Sequence, residues 1–179
     1  MKLNRIIPEF DALDRQILEL LQKNCKQPLA AIGEEVGLSA PSVVERIHKL
    51  EQAGVITDYV ALLDARRLGK DVAAFIGVST DQPRAIGSLE RKLCEIDDVL
   101  ECHHVTGAYT LMVKVKTQST EALEAVIQTI RSLEGVTRSE TSVVLSTYVE
   151  HPNVSLQTCL EFDLRATGRS GKNRRRAAK

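Results

Sequence analysis

Apolar residues recur every three or four positions through the first third of the chain. In "DALDRQILELLQKN", Leu13, Ile17, Leu20 and Leu21 fall at helical spacing behind Asp11, a candidate cap, with Asp14 in the first turn, which predicts an amphipathic helix. "QPLAAIGEEVG" predicts a second, shorter one: Pro28 suits a helix start, Leu29, Ile32 and Val36 share a face, and Gly37 stands where a left-handed cap is wanted. Ser39 then caps a third helix with Pro41 in its first turn. Val43, Val44, Ile47 and Leu50 form its inward stripe, and Gly54 ends it. Two short helices joined by Gly-Leu-Ser, after a longer supporting helix, have the form of a helix-turn-helix whose second member is the recognition helix.

Beyond Gly54 the period shortens. "VITDYVALLD" is β-rich, "ARRLGKD" reads as a linker, and "VAAFIGVST" is an apolar strand. "RAIGSLERKLCEI" returns to helical spacing through Ile86, Leu89, Leu93 and Ile96, and "VLECHHVTG" with "YTLMVKVKT" predicts a hairpin about Gly107. A helix over "STEALEAVIQTIRSL", capped by Ser119, turns Leu123, Val126, Ile127, Ile130 and Leu133 inward, and "GVTRSETSVVLSTYVE" supplies a last strand. The order βαββαβ predicts an α+β chain whose second part is ferredoxin-like, an antiparallel four-stranded sheet with helices on one face. "YTLMVKVK" alternates only in part and "SVVLSTYV" is apolar, so a second copy of the chain is expected to cover the other face.

Composition adds little until charge is mapped. With 179 residues, 43% hydrophobic and 27% charged, the chain suits a soluble protein of one or two domains. No apolar run approaches the ~20 residues that cross a bilayer, and "MKLNRIIPEFD" lacks the apolar core of a signal peptide, so a cytoplasmic protein is expected. Cys25, Cys94, Cys102 and Cys159 form no CxxC pair and read as small buried apolar residues, without a disulfide framework. The formal charge of zero hides a split. "RATGRSGKNRRRAAK", from Arg165, carries seven Lys or Arg and no acid, which leaves the first 164 residues with 17 basic against 24 acidic groups. A disordered tail is expected there, a solubilising end or a segment suited to a polyanion.

The third helix carries the candidate chemistry. With Val43, Ile47 and Leu50 inward, its outer face is read as Ala40, Ser42, Arg46 and Lys49, with Glu45 and His48 on the flanks. Small residues at its start, Ser39, Ala40, Pro41 and Ser42, allow close approach to a groove, and free N–H groups there attract phosphate. Arg46 can bond a guanine edge or clamp phosphate, while Lys49 places a point charge on the backbone. The partner so implied is double-stranded DNA, against the plain alternative of a helical hairpin with a solvated charged face.

"LDRQILELLQKN", "GLSAPSVVERIHKLEQAGVITDYVALLD" and "VLECHHVTGAYTLMVKV", in that order and spacing, resemble the Lrp/AsnC (feast/famine) family of transcription regulators over residues 10 to 150. The resemblance implies a winged-type helix-turn-helix in residues 1–60, a hinge strand or linker in 61–71 that pairs between protomers, a sensing and oligomerisation domain in 72–151, and a C-terminal extension in 152–179. It also implies homodimers that build into tetramers, octamers or larger rings, and an effector, often an amino acid, near the loop after "VTG". By the same resemblance Thr106, Gly107, Ala108, Tyr109 and Thr110 are candidate effector residues, with Ser139 and Thr141 as neighbours from a facing subunit. Where relatives commonly place acids around the aromatic residue, this chain has Ala108 and Thr110, so the usual partners of a ligand ammonium are missing.

An enzymatic alternative comes from proteins of similar architecture that decarboxylate a tetrapyrrole precursor with histidines near this hairpin. Ser42, Arg46 and Lys49 argue instead for an intact recognition helix. His103 and His104 are adjacent on a strand and point to opposite faces, so they do not share a metal, and no cofactor is expected.

Overall fold

The computed structural model describes residues 10–156, in two compact units. One unit holds residues 10–60 together with 151–156; the other is residues 61–150. The N-terminal nonapeptide, Cys159 and the basic tail, on which expectations were placed above, lie outside the described residues.

The first unit is three helices, α1 (Ala12–Lys23), α2 (Leu29–Val36) and α3 (Ala40–Gln52). Asp11 caps α1 in a capping box with Asp14, each carboxylate accepting the other residue's backbone N–H, so two otherwise orphaned donors are satisfied. Ser39 caps α3 by accepting from Ser42 N. Ile17, Ile32, Val36, Val43 and Ile47 form the core that fixes the three helices against one another. The α2–α3 turn depends on two glycines. Gly37 takes φ +71, a left-handed conformation that favours glycine, and a β-carbon at Gly33 would stand 2.5 Å from the Leu38 carbonyl oxygen.

The second unit has strands β1 (Val72–Ser79), β2 (Val99–His104), β3 (Leu111–Thr117) and β4 (Arg138–Val143), with helices α4 (Ile86–Cys94) and α5 (Thr120–Ser132). The sheet is antiparallel in the order β2-β3-β1-β4, the ferredoxin-like arrangement. Ala74, Ile76 and Val78 of β1 and Leu111, Val113 and Val115 of β3 point to one face, where Leu89, Leu93, Leu123, Val126 and Ile130 of the helices cover them.

Four expectations are corrected. Val55–Asp64 carries no strand in this chain; residues 61–71 hold only a 3-10 turn at Arg66–Leu68. A β-rich segment needs a neighbouring strand for its ladder, and a lone chain offers it none. The last strand stops at Val143, leaving Leu145 and Tyr148 95% and 94% exposed. β3 alternates strictly, so the outer sheet face is mixed rather than apolar: Lys114 and Lys116 lie there beside Phe75 and Met112, and both lysines grip Glu150 at 2.6 and 2.8 Å. Lys114 and Lys116 together hold the Glu150 carboxyl down to about 2. Finally, Cys25 and Cys94 are exposed and Cys102 half-buried, all free thiols; burial pushes Cys102 up to about 11.

Candidate functional site

α3 reaches its position through its core stripe, but its outward face differs from the sequence reading. At about 100° per residue, Ser42, Arg46 and Lys49 stand one residue step round from Val43, Ile47 and Leu50, beside the core rather than opposite it. The residues pointing most directly away are Pro41, Glu45, His48 and Gln52, all exposed, with Lys49 next to them. Ala40 falls on the core side and is half-buried. Ser39 and Ser42 are taken up by the cap, their hydroxyls 2.9 Å apart.

Arg46 is the largest departure. Its Nη1 donates to Asp14 Oδ1 at 2.7 Å and to Asp11 Oδ2 at 2.8 Å, so the guanidinium is tied to the capping box of α1. The carboxylates hold Arg46 above its usual range, and the Asp14 backbone N–H, then Arg46, hold Asp11 below the usual carboxylate range. Arg46 is 27% exposed. It joins α3 to α1. Lys49 pairs with Glu45 at 2.8 Å along the helix, an exposed i,i+4 pair that a stronger anion can displace. A groove of about 650 Å³ runs between the start of α1 and the flank of α3, lined by Phe10, Asp11 and Asp14 on one side and Ser42, Glu45, Arg46 and Lys49 on the other.

The second candidate site is the β2–β3 loop. Thr106, Gly107 and Ala108 are exposed at its tip, and Gly107 takes φ +119. Thr110 turns toward β1: its N–H donates to Val78 O at 2.9 Å and its hydroxyl accepts from Thr80 N. The Tyr109 ring lies flat on Gly77 of β1, where a β-carbon would stand 2.6 Å from the ring. The nearby Glu140 carboxylate raises the Tyr109 phenol above its usual pKa. Glu140 stands opposite Gly77 in the ladder, and Arg138 pairs with it at 2.7 Å. Ser139 and Thr141, by contrast, stand opposite Val78 and Ile76 and therefore point to the helix side, where Ser139 accepts from Arg131 of α5. Within one chain the loop is thus brought to Glu140, not to Ser139 or Thr141. The alternation that separates His103 from His104 would also have separated Glu140 from its neighbours, given the register.

His103 shares its face with Glu101, 3.3 Å away, and His104 faces the other side. Among the described residues no three His, Cys, Asp or Glu side chains converge as a metal site would require, and no helix is long and apolar enough to cross a membrane.

Comparison with known proteins connects the two sites. Residues 10–51 match the AsnC-type helix-turn-helix domain and residues 73–154 the Lrp/AsnC ligand binding domain. The chain is 33% identical to the HTH-type transcriptional regulator FL11 of Pyrococcus abyssi, over 79% of this chain and 93% of that protein. It is 35% identical to the regulatory protein AsnC of Escherichia coli K12, over 76% of this chain and 90% of AsnC. The structure of E. coli AsnC superposes with a TM-score of 0.76 at 32% identity, covering 80% of this chain and 97% of that one. The Neisseria meningitidis transcriptional regulator NMB0573, in complex with L-methionine, superposes with a TM-score of 0.79 at 27% identity, over 83% and 97%.

Proposed function

The chain belongs to the Lrp/AsnC family of transcriptional regulators, and from that premise we propose that α3 enters the major groove of DNA with Pro41, Glu45, His48, Lys49 and Gln52 toward the bases while Arg46 fixes its angle. The observation that carries this reading is the Arg46 bridge to the α1 cap, which leaves the exposed side of a firmly capped helix as the surface presented to a partner. Glu45 can accept from a cytosine amino group, and Gln52 can pair with an adenine edge or a phosphate. A cytoplasmic regulator of this kind works as a symmetric oligomer, so its operator holds two half-sites about one helical turn, or a multiple of it, apart. Segments with exposed apolar side chains, Val60, Leu62 and Leu63 on one side and Leu145, Tyr148 and Val149 on the other, supply the surface for self-association, and the strand absent at Val55–Asp64 forms there by pairing with a second copy. Selection from random duplexes with the full-length chain should enrich inverted half-sites, and light scattering on the same sample should give a dimer or larger. A monomer that enriches no sequence would contradict the reading.

Regulation runs through the 106–110 loop. Relatives crystallised with an amino acid include the N. meningitidis protein with L-methionine. In this chain Ala108 and Thr110 offer no carboxylate, and Glu140, opposite Gly77 in the ladder and near Tyr109, is the group available to meet an ammonium. Glu140 is already shared with Arg138, so amino acids bind weakly to the native loop. Calorimetry with L-methionine should show binding about tenfold tighter in a chain carrying Ala108→Asp and Thr110→Asp, and weaker after Glu140→Gln. Low-micromolar binding to the native chain that survives Glu140→Gln would overturn this assignment. The decarboxylase alternative is not favoured, because the FL11 and AsnC relatives named above are regulators.

A further inference from the structure

Two thiols of the sheet unit belong to neither candidate site. Cys94 is the last residue of α4 and is exposed, and Cys102 lies half-buried on β2, eight residues further along the chain. Both are free. The connection between them turns back at once: Glu95 N donates to Arg91 O at 3.2 Å, Ile96 N to Leu93 O at 3.3 Å and Val99 N to Ile96 O at 2.9 Å. β2 therefore begins where α4 ends, and the helix packs on the strand.

A β-bulge decides which way Cys102 points. Val99 pairs with Val115, which is buried on the helix side, and strict alternation from there would place Glu101 inward and Cys102 outward. The register instead shifts between Val99 and Glu101, so that Glu101 stands opposite Lys114 and Cys102 opposite Val113 of the helix-side core. Glu101 accordingly pairs with Lys114 at 2.9 Å on the outer face, while Cys102 packs against the core that α4 covers. Burial, then the nearby Cys94 and Glu90, push the Cys102 thiol up to about 11, so at neutral pH it stays protonated.

We propose that Cys94 and Cys102 are a redox pair, an exposed thiol that hydrogen peroxide oxidises and a half-buried one that resolves it as a reversible intrachain disulfide. The Cys94 sulfur, as thiolate, attacks one peroxide oxygen; the O–O bond breaks, a sulfenic acid forms, and the other oxygen takes up a proton and leaves as water. The Cys102 sulfur then attacks the Cys94 sulfur. The S–S bond forms as the S–O bond breaks, and the hydroxyl leaves with the Cys102 proton as water. Each sulfur gives up one electron, and both peroxide oxygens end as water. A protonated, half-buried Cys102 is a poor first target, which fixes the order of the steps. β2 is an edge strand of the sheet and leads into the 106–110 loop, so the bond restrains that strand against α4. The inference stands apart from the DNA and effector readings.

The test treats the reduced full-length chain with hydrogen peroxide, blocks the remaining thiols, and digests it with trypsin and a glutamate-specific protease, which cuts after Glu95 and Glu101 between the two cysteines. The expected result is one species joining the peptides Leu93–Glu95 and Cys102–Lys114, lighter than their sum by two hydrogens and split by dithiothreitol. Cys102→Ser should leave Cys94 as a sulfenic acid that dimedone traps, and Cys94→Ser should leave Cys102 reduced. Hydrogen exchange of the β2 amides should slow severalfold on oxidation of the native chain and in neither variant. Recovery of the two peptides apart, over-oxidation of Cys94 without a crosslink, or crosslinks between different chains would overturn the pair. Unchanged β2 exchange in the crosslinked chain would overturn the restraint on the strand.

Discussion

A single guanidinium nitrogen, Nη1 of Arg46, joins the third helix of the DNA-binding unit to the first. Asp11 and Asp14 each use one carboxylate oxygen to close the cap of α1 and the other to accept from Arg46, so cap and bridge stabilise each other. Asp14 is only 17% exposed, and water competes weakly for it. This sets up an opposition of signs. Removing a carboxylate beside DNA strengthens binding if electrostatics alone decides; it weakens binding if the carboxylate's task is to hold α3 through Arg46. Asp14→Asn should therefore weaken operator binding by about 1 kcal/mol or more, read as a severalfold rise in Kd at fixed salt. Tighter binding by Asp14→Asn would mean that Arg46, once released, reaches the DNA itself. Neither role could be assigned from the sequence, because Arg46 stands 35 residues from Asp11 and 32 from Asp14. The misplaced outer face of α3 was avoidable. Position 46 is next to 47 on the helix, and a wheel anchored on Val43, Ile47 and Leu50 already puts Glu45, His48 and Gln52 outside.

Elements were legible in the sequence where a pattern closes within itself. The helices α1, α2, α3 and α5 follow their apolar spacing, and the caps at Asp11, Ser39 and Ser119 and the stop at Gly37 are where side-chain chemistry demands them. Gly33 escaped notice because its reason is tertiary: the turn's own carbonyl at Leu38 occupies the space a side chain would need. Strands were legible only as far as their partners lie in the same chain. β1 and β3 run in register from Val72–Thr117 to Val78–Leu111 and were placed from their apolar residues alone. β4 ends at Val143, with Val144 N still donating to Ala73 O at 2.8 Å, and Val55–Asp64 carries no strand, so β-rich sequence there exceeds the β structure of one copy. The register also decided the candidate ligand site. It set Glu140 beside Tyr109 and turned Ser139 and Thr141 away, a fact about pairing that side-chain identity does not carry.

At the scale of the whole molecule, the two parts of the chain are alike in charge. By sequence, residues 1–60 carry a formal balance of −2 and residues 61–150 a balance of −3. Exposed apolar side chains occur in the segments just before β1 and just after β4, where the pairing proposed with a second copy would supply a ladder. On the proposed reading, sequence preference resides in the outer face of α3. The measurement that reaches this claim most directly is a repeat of the duplex selection with Glu45→Gln and Gln52→Lys introduced together in the full-length chain. The expected result is an altered consensus at symmetry-related positions of both half-sites, with their spacing unchanged. An identical consensus from the native and substituted chains would show that α3 does not read the bases.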